Sequence, residues 1–329
     1  MLKIIREAIL ISAFFLAIIY AVNIFSEKTL PYRDGYGCLW RQYLLEEKNT
    51  ADIMFFGSSL AYCNAVPSVI YDETGYSSFV MAGPQLTIKQ TYYYMKEAFK
   101  TQSPKLVFLE TSAMFFSEFT DYTRINISYM PYSENRVMAS LFAAEGAERL
   151  GCLFPPYNYH ELWADYFNEK KKEELKKEYK IDLLAGYTFL KDTVAQDKNR
   201  DRSLTDYSKK TYDGNLKTLI KIADLCEKNE AQLILYSTPM YKPLNPEYYQ
   251  YLERDTKGLA AYYNFNDEKD KIGFDMENDF YDIFHLNYRG AIKFSKYLIP
   301  VIERYNIEKR SHDTKLWQER ADYLRQRMG

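Results

Sequence analysis

The chain has 329 residues, a formal net charge of -2 and 27% charged residues. That length suits one large domain or two small ones, and the balanced charge leaves no electrostatic footprint for DNA or RNA, so nucleic acid is set aside as a partner. Tyrosine is abundant, at 32 residues; its flat face and hydroxyl suit sugar rings, though the same side chain ordinarily fills cores.

Residues 1–27 read as a transmembrane anchor. The stretch 8–25, AILISAFFLAIIYAVNIF, carries no charge and is just long enough to cross the hydrocarbon layer as a helix. Lys3 and Arg6 precede it, which places the N-terminus in the cytoplasm and the bulk of the chain outside the membrane as a single-pass protein. A cleaved signal peptide shares this pattern, but the run ends Ala21-Val22-Asn23-Ile24-Phe25, without a clean small-x-small cleavage site. Residues 28–50 form a connector, and the SEKTLPYRDGYG segment at 26–37, which leads into it, breaks any periodicity.

From residue 51 to 305, short apolar runs alternate with helical stripes. Strands are expected at 53–56, 78–82 (SFVMA), 105–109 (KLVFL) and 232–237 (QLILYS), with helices starting at Pro67 and spanning 86–100, 215–228 and 289–305. Pro300 is expected to kink the last of these. Such alternation predicts an α/β fold with a parallel sheet covered on both faces. An insertion over about 113–205 interrupts the pattern. It holds a Tyr-, Pro- and Asn-rich stretch at 115–159 and a charge run at 168–180 that reads as a solvated helix. It is expected over the C-terminal edge of the sheet, where α/β proteins bind ligands. In the helical tail, 306–329, Trp317, Ala321, Leu324 and Met328 form one stripe. Packing on the tail's own domain is the ordinary reading of such a stripe, and docking to a partner or membrane surface is the alternative.

Cys38, Cys63, Cys152 and Cys226 are too few and too scattered for a disulfide framework, and one bridge stays open. There is no CxxC pair, and neither a metal nor a cofactor is expected.

The chemistry-bearing residues lie at the end of the first strand and just ahead of the last helix. Gly57-Ser58-Ser59 closes the first strand, and a serine hydroxyl needs a base to become a nucleophile. Of the three histidines, His160 falls in the insertion and His312 in the tail. His285 stands just before the last helix with Asp282 three residues earlier, a spacing that lets the carboxylate bond the far ring nitrogen. Taken alone, the pair has a plain structural reading, and Asn287 has one as a helix cap.

Together these blocks resemble the SGNH (GDSL-like) hydrolase superfamily, which implies a flavodoxin-like three-layer α/β sandwich. The resemblance puts Ser59 in the nucleophile's place, Gly83 of FVMAGPQ in the place of the glycine whose N–H binds the oxyanion, and Asp282 and His285 in the last block. The third block, Gly-x-Asn-Asp, has no match: the sequence there is Leu109-Glu110-Thr111-Ser112. The side-chain oxyanion donor is therefore missing, with Thr111 and Ser112 as the candidate substitutes, and an absent donor of this kind costs about 3 kcal/mol. The lack of a G-x-S-x-G elbow argues against an ordinary α/β-hydrolase. The Gly-Ser-Ser turn, the anchor and the HLN ending look most like one branch, the membrane-anchored proteins that act beside a membrane-bound O-acyltransferase. That branch includes the teichoic acid D-alanyl transfer protein and the alginate acetylation proteins. The resemblance implies O-acyl transfer, acetyl or D-alanyl, onto an envelope polysaccharide or teichoic acid, with the insertion as lid. A secreted, membrane-anchored carbohydrate esterase and a catalytically inactive SGNH module that binds glycan or a partner are the alternatives.

Overall fold

The computed structural model describes residues 2–117, 120–162, 164, 168, 173, 177–193 and 209–329. Five short strands, β1 (Ile53–Gly57), β2 (Ser78–Ala82), β3 (Leu106–Glu110), β4 (Gln232–Ser237) and β5 (Ala261–Asn264), form one all-parallel sheet in the order β2-β1-β3-β4-β5. The helices described are α1 (Leu2–Thr29), α2 (Trp40–Tyr43), α3 (Ser59–Tyr62), α4 (Pro67–Thr74), α5 (Ile88–Ala98), α6 (Thr120–Ser128), α7 (Glu134–Phe142), α8 (Glu148–Leu153) and α9 (Pro155–Asn158), followed by α10 (Lys209–Lys228), α11 (Pro246–Asp255), α12 (Lys269–Ile272), α13 (Tyr288–Glu303) and α14 (Thr314–Met328).

The three layers follow from strand periodicity. Successive side chains of a strand point to opposite faces, and here both faces are apolar, as a sheet covered twice requires. Met54, Phe56, Val107, Leu109 and Leu235 pack with Tyr94 and Met95 of α5 and Leu219 and Ile222 of α10. Ile53, Phe55, Phe108, Ile234 and Tyr236 pack with Val69 and Ile70 of α4 and Phe294 and Leu298 of α13. Helix starts are set locally: Thr87 and Gln90 close a capping box on α5, and the Asn287 side chain accepts the Arg289 and Gly290 N–H groups at the head of α13. α13 continues through Pro300 to Glu303 as one helix.

β5 was not expected from the sequence. Its four residues, AYYN, are all half-buried at the sheet edge, so they carry neither an apolar run nor a clean alternation. The charge run at 168–180 lies largely outside the described residues.

Helices α6 to α9 follow β3, and α7 packs on α5 while α9 packs on α1. Further along, Ala185 runs beside β2, accepting the Val80 N–H at 2.9 Å. This gives the outer edge of β2 a partner. Gly186, at φ +89°, lies so close that a β-carbon would meet the Val80 backbone oxygen at 2.0 Å. The same segment then bonds the site elements, with Thr188 N–H donating to Tyr62 O at 2.7 Å and Tyr288 N–H to Leu190 O at 2.8 Å.

α14 packs on its own domain, against α4. Trp317 stacks on Tyr71 with ring centroids 4.7 Å apart, and Ala321 and Leu324 are buried. The four cysteines are free and buried. α1 is long and apolar enough to cross a membrane.

Candidate active site

The site begins at Gly57, the last residue of β1. Its φ of +146° is disfavoured for side-chain-bearing residues, and a β-carbon there would lie 2.7 Å from Glu110 Cβ. Ser58 then caps α3: its Oγ accepts the Leu60 N–H at 3.4 Å and donates to Glu110 Oε2 at 3.3 Å. Ser59 opens the helix, so its N–H lies outside the intrahelical ladder. Its side chain meets His285, with Oγ 2.8 Å from Nε2.

His285 comes from the loop between α12 and α13. Asp282 builds that loop itself: its Oδ1 accepts the Phe284 and His285 N–H groups, both at 2.7 Å. The same carboxylate faces His285 Nδ1 at 2.8 and 3.0 Å. Burial pushes the Asp282 carboxyl up, but the His285 hydrogen bond and charge and the two N–H groups outweigh it and hold the carboxyl below its ordinary value. An ionised carboxylate only accepts, so Nδ1 carries the proton and Nε2 is left to accept from Ser59. Asp282 and His285 are each about one-fifth exposed, leaving the pair open to a ligand. The three residues, 226 positions apart at the extreme, thus form one hydrogen-bonded chain.

The other expected groups are placed differently. Thr111 Oγ1 bonds Ser237 Oγ at 2.7 Å and Tyr236 O at 3.1 Å, and Ser112 Oγ donates to Glu110 Oε2 at 2.5 Å. Both hydroxyls are therefore bonded within the interior, and Ser112 Oγ also lies 3.2 Å from Ser58 Oγ. Gly83 N–H donates to Gly57 O at 3.3 Å, extending the β1–β2 ladder by one bond. His160 bonds the Tyr157 carbonyl, and His312 bonds Arg310 O and Tyr71 Oη, so neither joins the site. The Cys38, Cys63 and Cys226 thiols do not compete as nucleophiles, since burial raises all three.

Three residues not singled out in the sequence support the constellation. Asn64 is fully buried, accepts the Leu286 N–H at 3.2 Å and donates to Thr238 Oγ1 at 2.6 Å, tying the end of α3 to the residue after His285. Asn126 packs on Gly83, but its amide nitrogen donates to Pro84 O at 3.0 Å and Gln90 Oε1 at 3.1 Å. Asn64 lies in a turn and Asn126 within α6, and neither has a local sequence signal that would have picked it out. Glu110 did carry one: it is the only charge in the run LVFLE, at the end of a buried strand.

Glu110 is wholly enclosed among Ser58, Ser112, Tyr236 and His285. Burial raises its carboxyl from the usual 4.5 to about 7, against three hydrogen bonds from Ser112 and Ser58 and the charge of His285 that favour ionisation. Between those two values the folded chain holds a proton that the unfolded chain has lost. Stability therefore falls as pH rises from about 4.5 to about 7 and levels off above, by ~3 kcal/mol in total. Glu110→Gln removes this loss. Its melting temperature relative to the parent should be higher at pH 8 than at pH 4.5; parallel melting at both values would show that Glu110 does not titrate in this window.

No protein-family model and no curated protein matches the chain.

Proposed function

We propose that this chain is an SGNH-type serine acyltransferase of the cell envelope, anchored by α1 with the bulk of the protein outside the cytoplasmic membrane. The observation that carries the reading is the chain of contacts from Ser59 Oγ to His285 Nε2 and from His285 Nδ1 to Asp282, each 2.8 Å long at its shortest. It lies beside the C-terminal ends of parallel strands, where this class of sheet binds ligands.

In the proposed reaction Ser59 Oγ attacks the carbonyl carbon of an acyl ester while His285 Nε2 takes its proton, and Asp282 stabilises the imidazolium. The Ser59 N–H, at the head of α3, is positioned to bond the oxyanion. The ester bond then breaks, His285 protonates the departing oxygen, and the acyl group remains on Ser59. In the second half His285 deprotonates a hydroxyl of a sugar or polyol, which attacks the acyl-serine carbonyl; the bond from the acyl carbon to Ser59 Oγ breaks, and His285 returns the proton to Oγ to restore the free enzyme. The donor is supplied by a membrane-bound O-acyltransferase, and the acceptor is an envelope polysaccharide or teichoic acid. Transfer prevails over hydrolysis where the acceptor displaces water from Ser59; where water enters, the same triad is an esterase. The interior bonding of Thr111, Ser112 and the Gly83 N–H favours a second reading, an inactive module that binds glycan or a protein partner.

The deciding experiment traps the intermediate. The full chain in membranes, given p-nitrophenyl acetate and quenched in acid, should carry one acetyl group on the peptide containing Ser59. An unmodified Ser59 peptide, alongside no release of nitrophenol above buffer, would move the assignment to the binding module.

A further inference from the structure

Five large apolar side chains stand exposed on α7, α8 and α9, the last of which packs on α1. Leu141 and Phe142 end α7, Leu150 and Phe154 lie at α8, and Tyr157 is in α9, with Phe142, Leu150 and Tyr157 at 60%, 62% and 68% exposure. These helices are continuous with one another, α7 packing on α8, α8 on α9 and α9 on α1. Scattered exposed apolar residues need no explanation, but a set joined to a membrane-length helix does.

The depth of that junction follows from length. The uncharged stretch 8–25 rises about 27 Å at 1.5 Å per residue, which is no more than the hydrocarbon layer it would cross, about 30 Å. The whole stretch is therefore needed for the crossing. Yet its last turns already touch protein: Ile19, Val22 and Phe25 are half-buried and Asn23 and Ser26 buried, on one side of α1. Asn23 and Ser26 also return their side chains to the Ile19 and Val22 carbonyls, at 2.7 Å each, so that neither presents an open polar group. Protein packed against residues 19–26 must stand at the level of the lipid boundary, because these residues do.

We propose that the α7–α9 face is seated in the bilayer, with Leu141, Phe142, Leu150, Phe154 and Tyr157 entering the headgroup–acyl boundary beside α1. Its occupant is lipid. A tyrosine and phenylalanines beside leucines match that boundary, where one end of a side chain is apolar and the other wet. This inference rests on the reading of α1 as a membrane anchor. It also orients the enzyme, because α6–α9 leave the sheet from the C-terminal end of β3, the end at which Ser59 and His285 meet. The site would then open along the membrane surface, where a lipid-linked or membrane-delivered acyl donor arrives.

The test uses the full chain in nanodiscs of phosphatidylethanolamine and phosphatidylglycerol. Single cysteines are introduced by Phe142→Cys, Leu150→Cys and Tyr157→Cys, with Phe14→Cys in α1 and Lys228→Cys before β4 as references, and each carries a nitroxide. The native cysteines are buried, and the unmutated chain treated alike gives the blank. Relaxation by oxygen, which concentrates in lipid, is compared with relaxation by a water-soluble nickel chelate. At positions 142, 150 and 157 the oxygen-to-nickel ratio should resemble that at Phe14 and exceed that at Lys228 several-fold. Ratios equal to that at Lys228, with Phe14 still in lipid, would overturn the seated face and leave the anchor standing. A water-like ratio at Phe14 would overturn both. Shielding from both reagents that appears only when a membrane protein partner is added would also overturn it, since the occupant would then be protein.

Discussion

Ser59→Ala should lower the rate of acyl transfer by ~10⁴-fold or more, since members of a serine triad act as a unit and their removal leaves only what binding and the oxyanion donors supply. The substitution deletes one oxygen from a half-buried residue at the head of α3, and the hydroxyl it removes bonds His285. The protein should therefore melt within about 1 kcal/mol of the parent. His285→Ala should match the loss, and the double variant should be no worse than either single one. Ser58→Ala should keep most activity, because its hydroxyl caps α3 and bonds Glu110. The measurements are labelling by a fluorophosphonate and the acyl content of the envelope in cells carrying each variant. Full envelope acylation by Ser59→Ala would remove Ser59 from the nucleophile's place and favour the binding module.

The largest effect on stability is expected at Arg320, far from the site. Its guanidinium is 2% exposed, pairs with Glu46 Oε1 at 2.5 Å, donates to Asp182 O at 3.3 Å and lies 4.6 Å from the centre of the Trp317 ring. Burial raises the Glu46 carboxyl, and the nearby Arg320 opposes that rise. Arg320→Ala leaves Glu46 enclosed without its counter-charge, a change that costs about 3–5 kcal/mol. Chemical denaturation should show this as an early transition. Combining Arg320→Met with Glu46→Leu should recover most of the loss, because two apolar groups of similar size need no pairing. A single variant as stable as the parent would mean that α14 is not held through this pair.

The parallel sheet was legible because its first three strands, β1, β2 and β3, are nearly unbroken apolar runs. IMFF, SFVMA and LVFL leave little else to do but pair, and the helical stripes between them have nowhere to pack but the two faces. The edge strand β5 was not legible, since a half-buried strand of four residues shows no pattern of its own. Ser59, Asp282 and His285 could be named because each sits at a strand or helix boundary with a recognisable neighbour. Glu110 carried a signal of its own, a lone acid closing an apolar strand. Asn64 and Asn126 are buried by residues distant in sequence, and nothing near them announces it.

By itself, then, the sequence determined the apolar N-terminal helix, the order of four of the five strands and of the helices that cover them, and three residues able to form a nucleophile, base and carboxylate. These depend on local composition and spacing, which the chain carries wherever it goes. Tertiary structure alone decided that Ser59 rather than Ser58 faces His285, because the turn after Gly57 aims adjacent side chains at different partners. It alone placed Thr111, Ser112 and the Gly83 N–H in interior bonds, and it alone packed α9 on α1 and joined α8 and α7, with exposed Leu150 and Phe142, to it in turn. Each of these is a matter of direction between segments far apart in sequence, and direction is fixed only when their surfaces close on one another.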